Sequence, residues 1–252
     1  MKRLLLIWFI GIFALAVSAQ EDPQSRSYRL GFTPFPYDLT IEAINFVYDR
    51  LAEDADLVMH HFDSGIPWQE ALEDAPFPEA LMEDWQARKT LTPENMPILL
   101  SITPISITRD SLAPYRGEQE DMSLPPPWDG YRFNHPDVKA AFYNYMVRAI
   151  DFFDPTYIVM GIEVNLLLTN APQLWDDYVE LHQETYTRLK TQYPDLPLMV
   201  SVFGMAYFET YASEHDEAAQ RQAWQEQLYD YTDYFAVSWY PYMSALMTSG
   251  VP

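Results

Sequence analysis

The sequence predicts an α/β protein, most simply a (β/α)8 TIM barrel that is incomplete, with about six of eight strand-helix units present. Apolar segments rich in β-branched residues alternate with amphipathic segments of helical period. The apolar segments are hydrophobic on both faces, as buried parallel strands are. No glycine-rich turn follows the first strand, and the chain has only 8 glycines, which disfavours a doubly wound nucleotide-binding sheet.

Six segments have the composition of strands, and each is bounded by proline, glycine or polar residues that mark turns. They are residues 28–36, 57–62, 97–103, 157–165, 198–204 and 234–242. A closed barrel needs eight strands, and six would leave two open sheet edges. We therefore expect that the sequence is cut short.

Helical segments separate these strands, and the clearest one begins at Pro136. Proline suits the first helical position and Asp137 the first turn, and apolar residues then recur at helical spacing as far as Phe153. Other helices are predicted after residue 40, around Trp85, over residues 175–192 and over residues 216–231. A long loop, residues 104–134, follows the third strand, and such loops often serve function.

The N-terminus predicts export. A basic Met1-Lys2-Arg3 precedes an apolar stretch, residues 4–17, and a small-residue cleavage site at Val17-Ser18-Ala19, which is the pattern of a signal peptide. Residues 1–19 would be removed, leaving one domain, residues 20–252, in the periplasm or outside the cell. Because the apolar stretch is short and the chain has no cysteine for a lipid anchor, we expect no stable membrane anchor.

The charge of the chain limits its partners. The formal net charge is −22, and removal of Lys2 and Arg3 with the signal peptide makes it more negative. Such a chain repels phosphate backbones and anionic membrane surfaces. We therefore expect no nucleic acid partner, whereas a neutral or cationic partner is compatible with the charge.

One acidic side chain interrupts the fourth apolar segment. Residues 157–165 read Tyr-Ile-Val-Met-Gly-Ile-Glu-Val-Asn, so Glu163 would stand where a barrel strand opens, at the end that carries catalytic groups. A lone carboxylate there costs on the order of several kcal/mol to desolvate unless it is paired or functional. The alternative is an acid that only caps the following loop.

Aromatic and polar side chains are expected around the same end of the barrel. Sugar rings have apolar faces and hydroxyl edges, so their sites combine aromatic platforms with hydrogen-bonding groups. Trp128 in the long loop is one aromatic candidate, although each such residue alone could serve packing and Asn165 could cap a loop. The candidate substrate contacts are His61, Trp68, Asn165, Trp239, Tyr240 and Tyr242. Of the adjacent pair His60 and His61, one should point into the barrel and the other away from it.

These residues resemble clan A glycoside hydrolases, which are (β/α)8 barrels. Glu163 matches the acid/base glutamate at the end of strand four, and Ser238-Trp239-Tyr240-Pro241 resembles the Ser-x-Tyr-Pro stretch of family 53 endo-galactanases. Clan A usually has asparagine directly before the acid, whereas here Ile162 stands there and Asn165 follows two residues later.

The resemblance implies a retaining glycosidase that acts on a polysaccharide or oligosaccharide such as a β-galactan or β-mannan, with Glu163 as general acid/base and no cofactor. The strand-seven nucleophile would lie beyond Pro252, so we expect the 252-residue chain alone to be inactive. A non-catalytic carbohydrate-binding barrel stays open as an alternative, as does a metal-dependent barrel hydrolase. The metal class would need His-x-His on strand one, which holds no histidine, so no metal ligand is predicted.

Overall fold

The computed structural model describes residues 27–207 and 216–240, and the structural statements below refer to these residues. The predicted signal peptide, residues 1–19, and Tyr242 lie outside them. Within the described part of the chain, no helix is both long enough and apolar enough to cross a membrane.

Six strands form one sheet in which each strand pairs in parallel with the next strand along the chain. Sequential parallel strands joined by helices are the architecture of a β/α barrel. The predicted fold class is confirmed, since the described residues form six parallel strands with helices between them, as in an incomplete (β/α)8 barrel. The strands are β1 Gly31–Phe32, β2 Leu57–Phe62, β3 Ile98–Ile102, β4 Tyr157–Val159, β5 Leu198–Phe203 and β6 Tyr234–Ser238.

The connections between the strands contain the helices that cover the outer face of the sheet. A π-helical turn, Trp224–Leu228, and a 3₁₀ turn, Tyr229–Tyr231, continue the last helix. The α-helices are α1 Ile41–Asp54, α2 Trp68–Glu73, α3 Glu79–Leu91, α4 Pro136–Phe153, α5 Asn165–Asn170, α6 Trp175–Gln192, α7 Gly204–Tyr207 and α8 Glu217–Ala223.

Helix α4 confirms the prediction from periodicity. Pro136 occupies its first turn, and the side chain of His135 caps it by accepting a hydrogen bond from the backbone N–H of Asp137. All eight apolar residues at helical spacing are buried, namely Val138, Ala141, Phe142, Tyr145, Met146, Ala149, Ile150 and Phe153. Their burial against the sheet and α2 explains why the helix forms where the pattern predicts it.

Successive residues of β2 point alternately to the two faces of the sheet. Val58, His60 and Phe62 are buried toward the helices, whereas Met59 and His61 face the concave side. The alternation predicted for the two histidines is therefore found. The same alternation in the other strands divides a large aromatic core beneath the helices from a smaller apolar group on the concave side.

Two strands are shorter than the sequence suggests. Strand β1 has two residues instead of the predicted 28–36, since Pro34 and Pro36 lack the N–H that a ladder needs. Strand β4 ends at Val159 instead of residue 165. Glu163 therefore lies four residues beyond the strand, in the segment that joins β4 to α5.

Candidate active site

A cavity of about 480 Å³ lies on the concave side of the sheet, toward the carboxyl ends of the strands. Its floor consists of inward-facing apolar side chains such as Met59, Leu99 and Val159. Its rim carries the polar and aromatic groups His61, Asp63, Arg109, Glu163, Trp239 and Tyr240. This is the end of a β/α barrel at which active sites are built.

The backbone around Glu163 is clamped onto β5. The N–H of Glu163 donates to the hydroxyl of Ser201 at 2.9 Å, and the N–H of Val164 donates to the carbonyl of Ser201 at 2.9 Å. Glu163 has a left-handed φ of 53°, a conformation that costs a residue with a side chain roughly 1 to 2 kcal/mol. The clamp holds this strained turn, and it directs a side chain that is only 12% exposed into the cavity.

Arg109 joins the two carboxylates of the cavity. Its Nη1 and Nη2 donate to Oδ1 and Oδ2 of Asp63 at 3.0 and 2.8 Å, and Nη2 also donates to Oε2 of Glu163 at 3.3 Å. Burial works to lower the pKa of Arg109, but the bonds and charges of Asp63 and Glu163 outweigh burial and raise this pKa. The guanidinium is therefore a permanent, fixed positive charge beside Glu163.

His61 lies beside this ionic group. Its Nε2 is 3.9 Å from Oδ2 of Asp63, and its ring packs edge-on against Phe35 with centroids 6.4 Å apart. Burial lowers the pKa of His61, and this effect exceeds the opposing charge of Asp63. The imidazole is consequently neutral at pH 7, and it can donate or accept a hydrogen bond to a ligand.

Tyr240 and Trp239 form the aromatic side of the cavity. The pKa of Tyr240 is raised by burial and then by the charge of Glu163 and a hydrogen bond to it, in which the hydroxyl donates. The ring of Tyr240 also packs against Phe203 with centroids 5.8 Å apart. Both side chains remain partly exposed at the cavity. The third aromatic residue predicted here, Tyr242, lies outside the described residues.

Trp68 does not reach the cavity, so the prediction that it contacts substrate is corrected. Its side chain is 0% exposed, its Nε1 donates to the carbonyl of Ala113 at 2.9 Å, and its ring stacks on Trp128. Trp128 is buried as well, and it donates to Gln69 at 3.0 Å. The stacked rings of the two tryptophans attach the long loop to α2. Their apolar faces are buried inside the protein and are not accessible to a ligand.

Asn165 is also a structural residue, and its predicted contact with substrate is corrected. The buried side-chain amide donates to the carbonyl of Phe203 at 3.2 Å and to Gln220 Oε1 at 2.7 Å. Its oxygen accepts the N–H of Phe203 at 2.7 Å. The amide ties the start of α5 to β5 and α8, and it does not line the cavity.

Asp63, Arg109 and Ser201 also belong to the site, and they are not among the residues predicted from the sequence. Asp63 follows directly after β2, and the rule that singled out Glu163 applies to it, since carboxyl ends of parallel strands meet at one end of the barrel. Arg109 stands in an irregular loop, where no periodicity signals its direction. For Ser201, the signal is its place near the end of an otherwise apolar strand.

Within residues 27–207 and 216–240, no group of three or more His, Asp or Glu side chains is arranged to hold a metal ion. His60 faces the helices, where its Nε2 lies 2.9 Å from Oγ1 of Thr92. His182 is buried against the backbone carbonyl of Tyr231 at 2.8 Å. Neither of these histidines lines the cavity.

Fold and site together define a parallel β/α half-barrel with a carboxylate-bearing cavity at the carboxyl ends of its strands. Neither the models of known protein families nor the curated proteins include a match to this sequence. The solved structures that are similar to it include glycoside hydrolases of families GH53 and GH5.

One of these structures is the GH53 catalytic domain of Ignisphaera aggregans, with 15% identity and a TM-score of 0.47, covering 84% of this chain and 54% of that chain. Another is a GH5_18 protein of Streptomyces cattleya in complex with Manβ1-4GlcNAc, with 13% identity and a TM-score of 0.47, covering 71% and 43%. The chain thus spans about half the length of each. A putative phosphonomutase of Burkholderia cenocepacia is similar at 12% identity and a TM-score of 0.40, covering 87% and 81%.

Proposed function

We propose that the protein is an exported glycoside hydrolase that cleaves a polysaccharide such as a β-galactan or β-mannan, with Glu163 as general acid/base. One observation carries the proposal. A nearly buried glutamate, held in a strained turn, shares a cavity at the carboxyl ends of the strands with two partly exposed aromatic rings, Trp239 and Tyr240. Strain and burial of this kind concentrate at functional sites.

The chemistry of a retaining glycosidase assigns roles to these side chains. One carboxyl group protonates the leaving oxygen while a second attacks the anomeric carbon, and water later releases the sugar with the first group acting as base. Glu163 would be the first group. Trp239 would receive the apolar face of a sugar ring, and the neutral imidazole of His61 would bind a hydroxyl.

Asp63 is the other carboxylate of the cavity, and its geometry bears on the nucleophile. One nitrogen of Arg109 bonds both carboxylates, so their oxygens lie within two hydrogen-bond lengths. A retaining pair is separated by roughly 5 to 5.5 Å. However, Arg109 occupies both oxygens of Asp63, so we propose that Asp63 positions Arg109 and that the nucleophile comes from outside the described residues.

A pair of matched variants of the full gene product tests the proposal. Glu163→Gln keeps the shape of the side chain but removes its acid function, and Glu70→Gln makes the same change outside the cavity. Glu70 is a suitable control because it is half-buried and accepts a hydrogen bond from Tyr115 at 2.6 Å. The substrates are β-1,4-galactan and β-1,4-mannan, and the readout is the release of reducing ends.

We expect Glu163→Gln to lower kcat/KM by roughly 10²-fold or more, the usual worth of general acid–base catalysis, and Glu70→Gln to leave it nearly unchanged. Equal activity of Glu163→Gln and the parent would contradict the catalytic role. The alternative is a barrel that binds carbohydrate without cleaving it. This alternative is favoured by the observation that the described cavity residues include no second carboxylate free of Arg109. That alternative predicts saturable binding of the glycan with no new reducing ends.

A further inference from the structure

We propose that Ile107 is a specificity-determining residue, and that the cavity takes uncharged sugar units and rejects uronic acids. The inference rests on the proposed function, since it names the class of sugar that the same cavity accepts. Ile107 lines the cavity yet is 63% exposed. A large aliphatic side chain that stays exposed at the rim of a cavity can contact a ligand that enters it.

The loop that carries Ile107 is closed by its own hydrogen bonds. The N–H of Ser106 donates to the carbonyl of Ser111 at 2.9 Å, and the N–H of Arg109 donates to the carbonyl of Ser106 at 2.9 Å. The carboxylate of Asp110 accepts the hydroxyls of Ser106, Thr108 and Ser111 at 3.1, 2.6 and 3.1 Å. The loop is therefore formed before any ligand arrives, and its order is not a cost of binding.

Two further contacts fix this loop to the walls of the cavity. The side-chain amide of Asn170 in α5 donates to the carbonyl of Thr108 at 2.9 Å. Arg109, the residue after Thr108, is held through its side chain by Asp63 and Glu163. Because both residues that follow Ile107 are anchored, the backbone that carries Ile107 is held at the rim, and this suits the residue to discriminate between ligands.

The charges of the described cavity residues exclude an acidic sugar. The ionisable groups are Asp63, Glu163, Arg109, Tyr240, whose pKa is raised, and the neutral His61. Arg109 already bonds both carboxylates, so the described lining offers no cation to a substrate carboxylate. An added carboxylate would be desolvated beside Asp63 without a cation to pair with, and this is unfavourable. Ile107 adds an apolar rim that suits the C–H face of a neutral ring.

The experiment compares Ile107→Ala and Ile107→Arg with Leu39→Ala and Leu39→Arg in the full gene product. Leu39 is a matched control because it is 96% exposed and does not line the cavity. The probes are β-1,4-linked galactose and mannose oligosaccharides, together with the same oligosaccharides oxidised at C6 to uronic acids. The readouts are kcat and KM, and the dissociation constant where no cleavage occurs.

We expect the parent to prefer neutral over oxidised oligosaccharides by at least roughly tenfold, which is about the cost of burying one polar group without a partner. Ile107→Ala should raise KM, or the dissociation constant, for the neutral oligosaccharide about threefold or more with kcat nearly constant. Ile107→Arg should reduce the neutral-to-oxidised preference about tenfold, because it supplies the missing cation. Both Leu39 variants should match the parent.

Two results would overturn the inference alone: a parent that prefers oxidised oligosaccharides, or Ile107 variants that behave like the Leu39 controls while cleavage still depends on Glu163. A protein that neither cleaves nor binds any of the oligosaccharides would overturn both this inference and the proposed function. The two failures are therefore distinguishable in one set of measurements.

Discussion

Nη2 of Arg109 lies 3.3 Å from Oε2 of Glu163, across the space between the loops that follow β3 and β4. The cation is not free to leave, since Asp63 holds it through two bonds. The three side chains are each almost completely removed from water, where charge-assisted bonds are strong and unpaired charges are costly. The side chain of Glu163 is thus held by residues from two other loops, Arg109 after β3 directly and Asp63 after β2 through Arg109.

This network predicts energetic coupling between Asp63 and Arg109. Asp63→Asn leaves the buried Arg109 with only its longer bond to Glu163, and Arg109→Gln leaves two buried carboxylates without their cation. Each should lower the free energy of unfolding by about 3 kcal/mol. The double variant should lose less than the sum of the two, with a coupling energy of about 1 to 3 kcal/mol. Urea denaturation of the four proteins measures it. Strictly additive losses would mean that the pair is not coupled.

At Gly161, two residues before Glu163, the structure leaves no room for a side chain. A Cβ at Gly161 would lie 2.5 Å from the hydroxyl oxygen of Tyr178 and 2.9 Å from Cγ1 of Val164. Gly161→Ala should therefore lower stability by about 1 to 3 kcal/mol, and it should lower kcat by displacing the turn. The same substitution in a Tyr178→Phe background should cost less, because the nearest atom is gone. Thermal unfolding of both pairs checks this, and equal costs would show that Tyr178 is not the obstacle.

Asn165→Ala separates a structural role from contact with substrate. The variant loses three hydrogen bonds to Phe203 and Gln220, so we expect the free energy of unfolding to fall by about 1 to 3 kcal/mol. KM for a glycan should change by less than roughly twofold, since the side chain does not line the cavity. A large rise in KM with unchanged stability would restore Asn165 to the substrate site.

Two buried histidines predict a loss of stability in mild acid. Burial lowers the pKa of His60 and of His182 from 6.5 to about 4. The unfolded chain therefore takes up protons below about pH 6.5 that the folded protein takes up only near pH 4, and stability falls through this window. The loss is up to about 3 kcal/mol for each group. Urea denaturation at pH 7 and pH 5 measures it, and His182→Leu should show a smaller difference between the two. An equal difference in the variant and the parent would exclude His182 as a cause.

The order of strands and helices could be predicted from the sequence, because the spacing of apolar residues distinguishes a buried strand from an amphipathic helix. The apolar stripe on α4 is buried only when that face of the helix packs against the rest of the protein, and successive side chains of β2 must point to opposite faces of the sheet. The end of β4 could not be predicted, since the apolar residues Met160, Ile162 and Val164 continue the composition of the strand beyond Val159. Their course is set by the clamp from Ser201, which is a contact between residues distant in sequence.

The aromatic candidates show a similar division. Trp239 and Tyr240 follow a strand, and their place at the cavity could be inferred from the common direction of parallel strands. Trp68 also follows a strand, but Trp128 from the long loop stacks on it. Because nothing in the sequence pairs these two residues, a buried platform could not be distinguished from an open one.

The central claim is that Glu163 donates the proton to the leaving oxygen. The most direct test is how the rate loss in a Glu163 variant depends on the leaving group of the substrate. In Glu163→Ala of the full gene product, cleavage of unactivated oligosaccharides should fall by roughly 10²-fold or more. Aryl glycosides whose leaving groups need no proton should lose much less in the first step, and added azide should accelerate release from the enzyme as a glycosyl azide. If Glu163→Ala slowed both kinds of substrate equally and azide had no effect, the claim would be contradicted.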